Sequence, residues 1–214
     1  MPGFDELKRI EAEIRDRVLE RMSGFKQIRD NGSEEEFFLE LVFCTLTPQT
    51  KARMAEKAVD RLVQKDLVFH GSVLELAKEL NIVRFRNHKA EYIVKNRAVC
   101  SRNGRIALKT ILSEMPDVPI KREWIIQNVS GLGYKEASHF LRNTGYGQNI
   151  AILDRHILRN LQAFGVISDA GVSLTGSRYC EIENRMINFS EQIGIPMEVL
   201  DFVLWYKEAR DVFK

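Results

Sequence analysis

A lysine and an aspartate are the two residues of this chain best suited to covalent chemistry. Lys135 ends the segment SGLGYK, and Asp154 follows nineteen positions later (154 − 135). A free lysine amine is a nucleophile that attacks an electrophilic carbon and leaves a Schiff base. An ionised carboxylate stabilises positive charge that develops beside it. The same stretch also suits a plain helical corner, with Lys135 solvated and Asp154 acting as a helix N-cap.

The turn before Lys135 predicts a helix–hairpin–helix. A helical pattern over residues 124–129 enters the turn, and a second helix begins at once with KEASHFLRN. Gly131 and Gly133 allow positive φ angles and leave the backbone N–H groups uncovered. Because amides at a helix N-terminus bind phosphate oxygens, the hairpin is a candidate phosphate site. An ordinary corner between helices, which also favours glycine, is the alternative.

Helical periodicity dominates the rest of the chain, and the fold class it predicts is all-α with about ten helices. Ser33 and Glu36 have the spacing of a capping box that opens the helix carrying FFLELVF. Alternating, strand-like patterns are nearly absent. The last helices are expected near residues 138–144, 155–164, 178–193 and 197–210.

Composition excludes several classes of protein. The 214 residues include 32 basic and 30 acidic side chains, for a net charge of +2. Any surface that attracts nucleic acid must therefore be local. No apolar run approaches the roughly 18 residues of a membrane span, and the charged N-terminus does not resemble a secretory signal. We expect a cytoplasmic protein without a membrane partner.

The number and spacing of the cysteines argue against a metal site. Cys44, Cys100 and Cys180 are odd in number, far apart and form no CxxC pair. Buried free thiols in a reducing compartment account for them better than ligation does. We expect no metal, no iron–sulfur cluster and no other cofactor.

Four segments resemble the signature of the helix–hairpin–helix DNA base-excision glycosylases, the endonuclease III superfamily. They lie within residues 39–160, in the family's order: ELVFCTLTPQTKARMAEKAVDRL, VRFRNHKAEYIVKN, VSGLGYKEA and IAILDRHILRNL. The chain lacks the four C-terminal cysteines of the cluster-containing members, and Ser130 stands where many relatives have proline. Its short length and the ending MEVLDFVLWYKEARDVFK are similar to the compact 8-oxoguanine DNA glycosylases of archaea and some bacteria.

The resemblance implies a bifunctional DNA glycosylase and abasic-site lyase that excises 8-oxoguanine in base-excision repair. Lys135 falls on the family's attacking lysine and Asp154 on its catalytic aspartate. Attack of the amine on the sugar C1′ displaces the base, and the resulting Schiff base permits β-elimination of the 3′ phosphate. The implied partner is damaged double-stranded DNA, bound by a monomer at the nucleoid of a prokaryote.

Such an enzyme must rotate the damaged nucleotide out of the helix and fill the space it leaves. By resemblance, the fillers are Gln49, with Thr50 beside it, and Phe85. A polar helix residue is the alternative for Gln49, and a core residue is the alternative for Phe85. The hairpin glycines and nearby basic residues are expected to hold the DNA backbone: Arg84, Arg86 and Lys89, with Lys51, Arg53, His88, Arg155 and His156 around them.

A base pocket is expected on the last helix. Asp201 and Trp205 are one turn apart and share a face. Trp205 could stack on the extruded purine, and Asp201 could accept hydrogen bonds from the base, including the N7–H that distinguishes 8-oxoguanine from guanine. The terminal carboxylate of Lys214 is a further possible acceptor. A plain core position remains the alternative for Trp205.

The resemblance also implies two helical domains with a DNA-binding cleft between them. Residues 32–142 form the central domain, which ends in the hairpin, and residues 1–31 with 143–214 form the other. A glycosylase for oxidised pyrimidines or alkylated purines on the same fold remains an alternative, although alkylation enzymes often lack the lysine. A non-catalytic helix–hairpin–helix DNA-binding protein is an alternative of a different class.

Overall fold

The structure is a computed structural model that describes residues 2–171 and 173–212. These residues form twelve α-helices and one short β-hairpin. The helices are α1 (Pro2–Asn31), α2 (Glu34–Leu46), α3 (Ala52–Gln64), α4 (Leu67–His70), α5 (Val73–Glu79), α6 (Arg86–Val99), α7 (Leu108–Ser113), α8 (Val118–Asn128), α9 (Tyr134–Leu141), α10 (Arg155–Ala163), α11 (Gly176–Ile193) and α12 (Met197–Ala209). The all-α prediction is confirmed.

Local capping signals account for the start of several helices. The Ser33 side chain accepts from the Glu36 amide while the Glu36 carboxylate accepts from the Ser33 amide, so the predicted capping box is confirmed. The three last predicted helices correspond to α10, α11 and α12. The first of the four is displaced, because α9 begins at Tyr134 and gives way after Leu141 to a wider turn at Arg142–Tyr146.

A small β-hairpin was missed. Ser101–Arg102 pairs with Arg105–Ile106 in antiparallel register, with Asn103 and Gly104 both at positive φ in the turn. Asn-Gly is the sequence that favours this kind of two-residue turn. The signal was therefore present, although strands of two residues leave no alternating pattern.

Two hydrophobic clusters divide the fold. One contains buried residues between Phe37 and Ile150, and the other joins the first helix to buried residues between Ala151 and Val212. The change from one cluster to the other thus falls just before Asp154. The first cluster includes Ile150 and packs against Tyr146, beyond the end of the domain expected over residues 32–142, so that division stays a prediction.

The wider turn at Arg142–Tyr146 packs against α1, and α1 packs against α12. This places the end of the hairpin helix next to the C-terminal helix, so that a cleft opens between the two clusters. No helix in the described ranges is both long enough and apolar enough to cross a membrane.

Candidate active site

The hairpin joins α8 to α9 in a turn that requires glycine at one position. Gly131 has φ +87°, and a Cβ there would overlap the ring of Tyr92. Asn96 holds the turn by exchanging two hydrogen bonds with the backbone of Ser130, at 2.8 and 3.1 Å. The turn is therefore rigid and built against α6, rather than being a loose connection.

The N-terminus of α9 is open to a ligand. Gly133 is the N-cap, and no described side chain accepts from the first amides of this helix. A Cβ at Gly133 would come no closer than 3.7 Å to another group, the Glu136 carboxylate, so the N-cap position itself is not crowded. Uncapped amides at a helix N-terminus can bind an anion. This geometry suits a DNA phosphate.

Lys135 is the second residue of α9 and lines the main cleft. The Lys135 side chain is 27% exposed, and its Nζ lies 3.5 Å from the Glu136 carboxylate. The amine is thus partly open and accessible from the cleft.

Asp154 approaches the same cleft from a separate element. It is the N-cap of α10, and its Oδ1 accepts hydrogen bonds from the amides of His156 and Ile157 at 2.8 and 2.9 Å. The capping prediction is confirmed. Two amide donors fix the carboxylate in one orientation, which suits a group that must stabilise developing positive charge.

The cleft has a volume of about 760 Å³. Its wall combines residues from α3, α9, α10, α12 and the loops before α3 and α6. Most of the predicted site residues meet there: Gln49, Thr50, Arg84, Lys135, Asp154, Asp201 and Trp205. Phe85 and Arg86 instead line a neighbouring surface groove of about 460 Å³. Lys214 lies outside the described residues.

The two predicted wedge residues share an unusual backbone. Gln49 has φ 55° and Phe85 has φ 57°, in the left-handed region that bulky residues avoid. The Phe85 side chain is 53% exposed, so its alternative reading as a core residue is wrong. Strained, exposed positions of this kind are concentrated at functional sites. The Arg84 guanidinium lies 5.5 Å from the Phe85 ring centroid.

Lys89 requires a correction. It is 4% exposed, and its Nζ donates to the Leu46 carbonyl oxygen at 2.7 Å, the Pro48 carbonyl oxygen at 2.8 Å and Thr50 Oγ1 at 3.1 Å. All three protons of the ammonium group have protein acceptors. A phosphate contact by Lys89, as predicted, does not fit this geometry; the residue holds the loop that carries Gln49. Arg84 and Arg86 are exposed and stay candidates.

Asp201 is buried in an ion pair that the sequence did not reveal. Its Oδ2 lies 2.6 Å from Arg142, whose guanidinium stacks 4.8 Å from the Phe202 ring. Burial raises the pKa of the Asp201 carboxyl, and Arg142 opposes that shift. The other oxygen of Asp201, Oδ1, makes no regular hydrogen bond with a described residue, although the nearby Ile152 backbone lowers the pKa of the Asp201 carboxyl.

Arg142 and His139 line the cleft with Lys135, and sequence reasoning missed both. The three residues follow one another at steps of four and three, which places them on one face of a helix. That spacing was visible in the sequence. His139 is buried with its ring edge-on to Phe43 at 5.8 Å between centroids.

Trp205 is half-buried in the cleft wall, with its ring edge-on to His156 at 5.3 Å. It is therefore not enclosed in the core, and a planar ligand could reach its surface. In the described part of the chain, no group of three or more His, Cys, Asp or Glu side chains is arranged to hold a metal ion.

Comparison with known proteins gives consistent results. The family model for 8-oxoguanine DNA glycosylase matches residues 18–195. A Fusobacterium nucleatum protein named 8-oxoguanine DNA glycosylase/AP lyase is 47% identical over 211 residues, covering 99% of this chain and 97% of the relative. The crystal structure of the Thermotoga maritima 8-oxoguanine DNA glycosylase has a TM-score of 0.88 and 33% identity, covering 100% of this chain and 99% of that one. The Methanocaldococcus jannaschii 8-oxoguanine glycosylase/lyase, solved with a 15mer DNA containing 8-oxoguanine, has a TM-score of 0.89 and 32% identity, with full coverage of both chains.

Proposed function

The chain belongs to the 8-oxoguanine DNA glycosylase family, and on that premise we propose that Lys135 and Asp154 excise 8-oxoguanine from duplex DNA and cleave the abasic site. The protein is an enzyme, a DNA N-glycosylase with abasic-site lyase activity. Its partner is damaged double-stranded DNA. One observation carries the assignment of residues: an amine at the head of the hairpin helix and a carboxylate at the head of α10 line one cleft.

The reaction begins with the neutral amine of Lys135. Nζ attacks C1′ of the damaged nucleotide, the bond from C1′ to the base breaks, and the base leaves with its electron pair and takes up a proton. Positive charge develops at C1′ as this bond breaks, and the Asp154 carboxylate stabilises it. One Nζ proton passes to O4′ as the C1′–O4′ bond breaks and the sugar ring opens, which leaves a protonated Schiff base between Nζ and C1′. Loss of a C2′ proton then expels the 3′ phosphate.

The surrounding residues present the nucleotide to Lys135. The uncapped amides of α9 hold a backbone phosphate, so that the sugar lies over the amine. Gln49 and Phe85 fill the space left in the duplex, and the exposed guanidinium groups of Arg84 and Arg86 contact phosphates. The extruded base enters the cleft towards Trp205 and Asp201, which both line its wall.

Two further properties follow from this function as proposals. The protein acts as a monomer, because each chain carries its own lysine, aspartate, hairpin and wedge residues. In a prokaryotic cell it works in the cytoplasm at the nucleoid, where its substrate lies. Sedimentation of the protein with and without duplex DNA tests the first proposal.

Borohydride trapping tests the proposed function. Borohydride reduces the Schiff base to a stable amine, so an active enzyme becomes covalently linked to its DNA. Duplexes containing 8-oxoguanine, thymine glycol, an alkylated purine or an abasic site are compared. We expect a covalent adduct with 8-oxoguanine and with the abasic site, and no adduct with either duplex for Lys135→Gln.

The other outcomes distinguish the alternatives. Adducts formed only with thymine glycol would indicate a glycosylase for oxidised pyrimidines. Excision of an alkylated purine without an adduct would indicate direct hydrolysis. Salt-sensitive binding to every duplex, with no excision or adduct, would indicate a non-catalytic DNA-binding protein.

A further inference from the structure

A buried polar network lies behind the cleft and contacts the segments that carry both proposed catalytic residues. Its members come from α8, α9 and α11: Arg122, Ser138, Tyr179 and Glu183. None of them lines the cleft. We propose that Tyr179 and Glu183 are positioning residues that hold residues 151–153 and thereby aim the Asp154 carboxylate at the reacting sugar. This inference rests on the proposed function.

Tyr179 holds the segment before Asp154 through its hydroxyl group. The hydroxyl donates to the Ala151 carbonyl oxygen at 2.6 Å and accepts from the Leu153 amide at 3.2 Å. The ring is 1% exposed, and burial raises the pKa of its phenol, so the hydroxyl keeps its proton at neutral pH. Residues 150–153 belong to no helix or strand. Their buried backbone groups therefore depend on side chains such as Tyr179 for partners.

Glu183 holds the same segment from one turn further along α11. Its Oε1 accepts from the Ala151 amide at 2.7 Å. Both of its oxygens also accept from Arg122, at 2.7 and 2.8 Å, in a two-pronged ion pair that is almost fully buried. The pair fixes the Glu183 carboxylate, and hence the position of Ala151. Arg122 lies on α8, which packs in the first hydrophobic cluster, whereas Glu183 lies on α11, which packs in the second. The ion pair between them therefore links the two clusters.

The network reaches Lys135 as well. The Arg122 guanidinium lies 5.5 Å from the ring of Tyr134, the residue before Lys135, and that ring lies 5.3 Å from Tyr179. Ser138, one turn after Lys135, has its Oγ 3.3 Å from the Tyr179 hydroxyl. The ring contacts of this cluster thus extend to the helix that carries Lys135, whereas the hydrogen bonds of the Tyr179 hydroxyl to the backbone go only to the segment before Asp154.

The energetic argument follows from these bonds. Removing the Tyr179 hydroxyl leaves the Ala151 carbonyl and the Leu153 amide without that partner in a buried site, which favours a shift of the segment. Asp154 is attached directly to Leu153 and would move with it. A displacement of a reacting group by about 1 Å can cost about a hundredfold in rate. Loss of this support should therefore slow the chemistry while DNA binding persists.

The test is a double-mutant cycle on base excision. Single-turnover excision of 8-oxoguanine is measured for the wild type, Tyr179→Phe, Asp154→Asn and the double variant. We expect Tyr179→Phe to lower the rate about tenfold to a hundredfold with unchanged DNA affinity. In the Asp154→Asn background the same change should have almost no further effect, because Tyr179 acts through that carboxylate.

Two other variants complete the design. Tyr206→Phe removes another largely buried phenol hydroxyl, one that bonds to Glu13 on α1 outside the cleft, and it should leave the rate unchanged. Glu183→Asp keeps a negative charge opposite Arg122, but the shorter side chain moves its carboxylate oxygen away from the Ala151 amide. It should lower the rate and show the same dependence on Asp154, and it serves in place of Tyr179→Phe if that variant does not fold.

The results separate this inference from the proposed function. An undiminished rate in Tyr179→Phe, or an equal loss in the presence and absence of the Asp154 carboxylate, would overturn the positioning role. A wild type that forms no adduct, or an Asp154→Asn variant with full activity, would instead overturn the proposed function.

Discussion

The Lys89 ammonium lies 2.7 Å from the Leu46 carbonyl oxygen, although the two residues are 43 positions apart. This hydrogen bond and those to Pro48 and Thr50 tie α6 to the end of α2 and to the loop that carries Gln49. Thr50 Oγ1 also accepts from the Arg84 amide at 3.3 Å. The two proposed wedge loops are therefore connected through Lys89 and Thr50.

Lys89 should make stability depend on pH. Burial lowers the pKa of Lys89 to about 8 in the folded protein, whereas an unfolded lysine titrates near 10.4. Between these values the unfolded chain binds more protons, so the free energy of unfolding rises with pH. We expect the stability of the wild type relative to Lys89→Met to grow by roughly 2 kcal/mol between pH 7 and 9.5, measured by urea unfolding. Lys57→Met, at an exposed position of α3, is the control; equal behaviour of the two variants would contradict the prediction.

Asp154→Asn should separate chemistry from folding. Asparagine caps a helix as well as aspartate does, so the thermal midpoint should change little. The negative charge is lost, and we expect single-turnover excision to fall about a hundredfold or more while DNA affinity stays within about threefold. Asp117→Asn makes the same change at the N-cap of α8, away from the cleft, and should keep full activity. Undiminished cleavage by Asp154→Asn would refute the catalytic role.

Gly131→Ala should damage the hairpin. The new methyl group would overlap Tyr92 and would sit on a backbone with φ +87°. We expect a loss of about 2 kcal/mol or more in stability, from strain and overlap together, and weaker binding to duplex DNA. Gly104→Ala at φ +74° has open space around it, so it carries the strain alone. Similar losses in both variants would show that the Tyr92 contact is unimportant.

Phe85→Ala should affect function far more than stability. The side chain is 53% exposed, so its removal leaves no cavity and should change the free energy of unfolding by less than about 1 kcal/mol. Loss of a filler for the duplex should slow excision from double-stranded DNA but not cleavage of a single-stranded abasic site. Leu74→Ala, at a position that is 83% exposed, is the control. Equal slowing on both substrates would argue against a wedge.

Arg142→Met should destabilise the fold strongly. The change leaves the Asp201 carboxylate buried without its charged partner, and broken buried ion pairs cost about 3–5 kcal/mol. Arg102→Met breaks an exposed pair with Glu114, which solvent screens, and should therefore destabilise the fold far less. Urea unfolding of both variants checks the difference. If the double variant Arg142→Met with Asp201→Leu regains stability, the cost arises from the unpaired charge.

Short-range interactions explain what could be predicted from the sequence. The capping box at Ser33, the late helices α10 to α12, the hairpin turn and the capping role of Asp154 all depend on residues within one or two helical turns of each other. Spacing along the chain reveals such contacts. Family resemblance added the pairing of Lys135 with Asp154, whose shared cleft is visible in the structure.

The tertiary structure alone decided which polar groups are buried and what they bind. The Arg142–Asp201 pair spans 59 positions, and the Arg122–Glu183 pair spans 61. Lys89 looks like any basic residue beside an exposed aromatic one, yet it is buried as a loop support. The solvation of a charged side chain depends on the helices packed around it, and that packing brings together residues whose spacing in the sequence carries no periodic signal. The sequence thus determined the helices and indicated the proposed reactive residues, and the packing of helices determined how those residues are held.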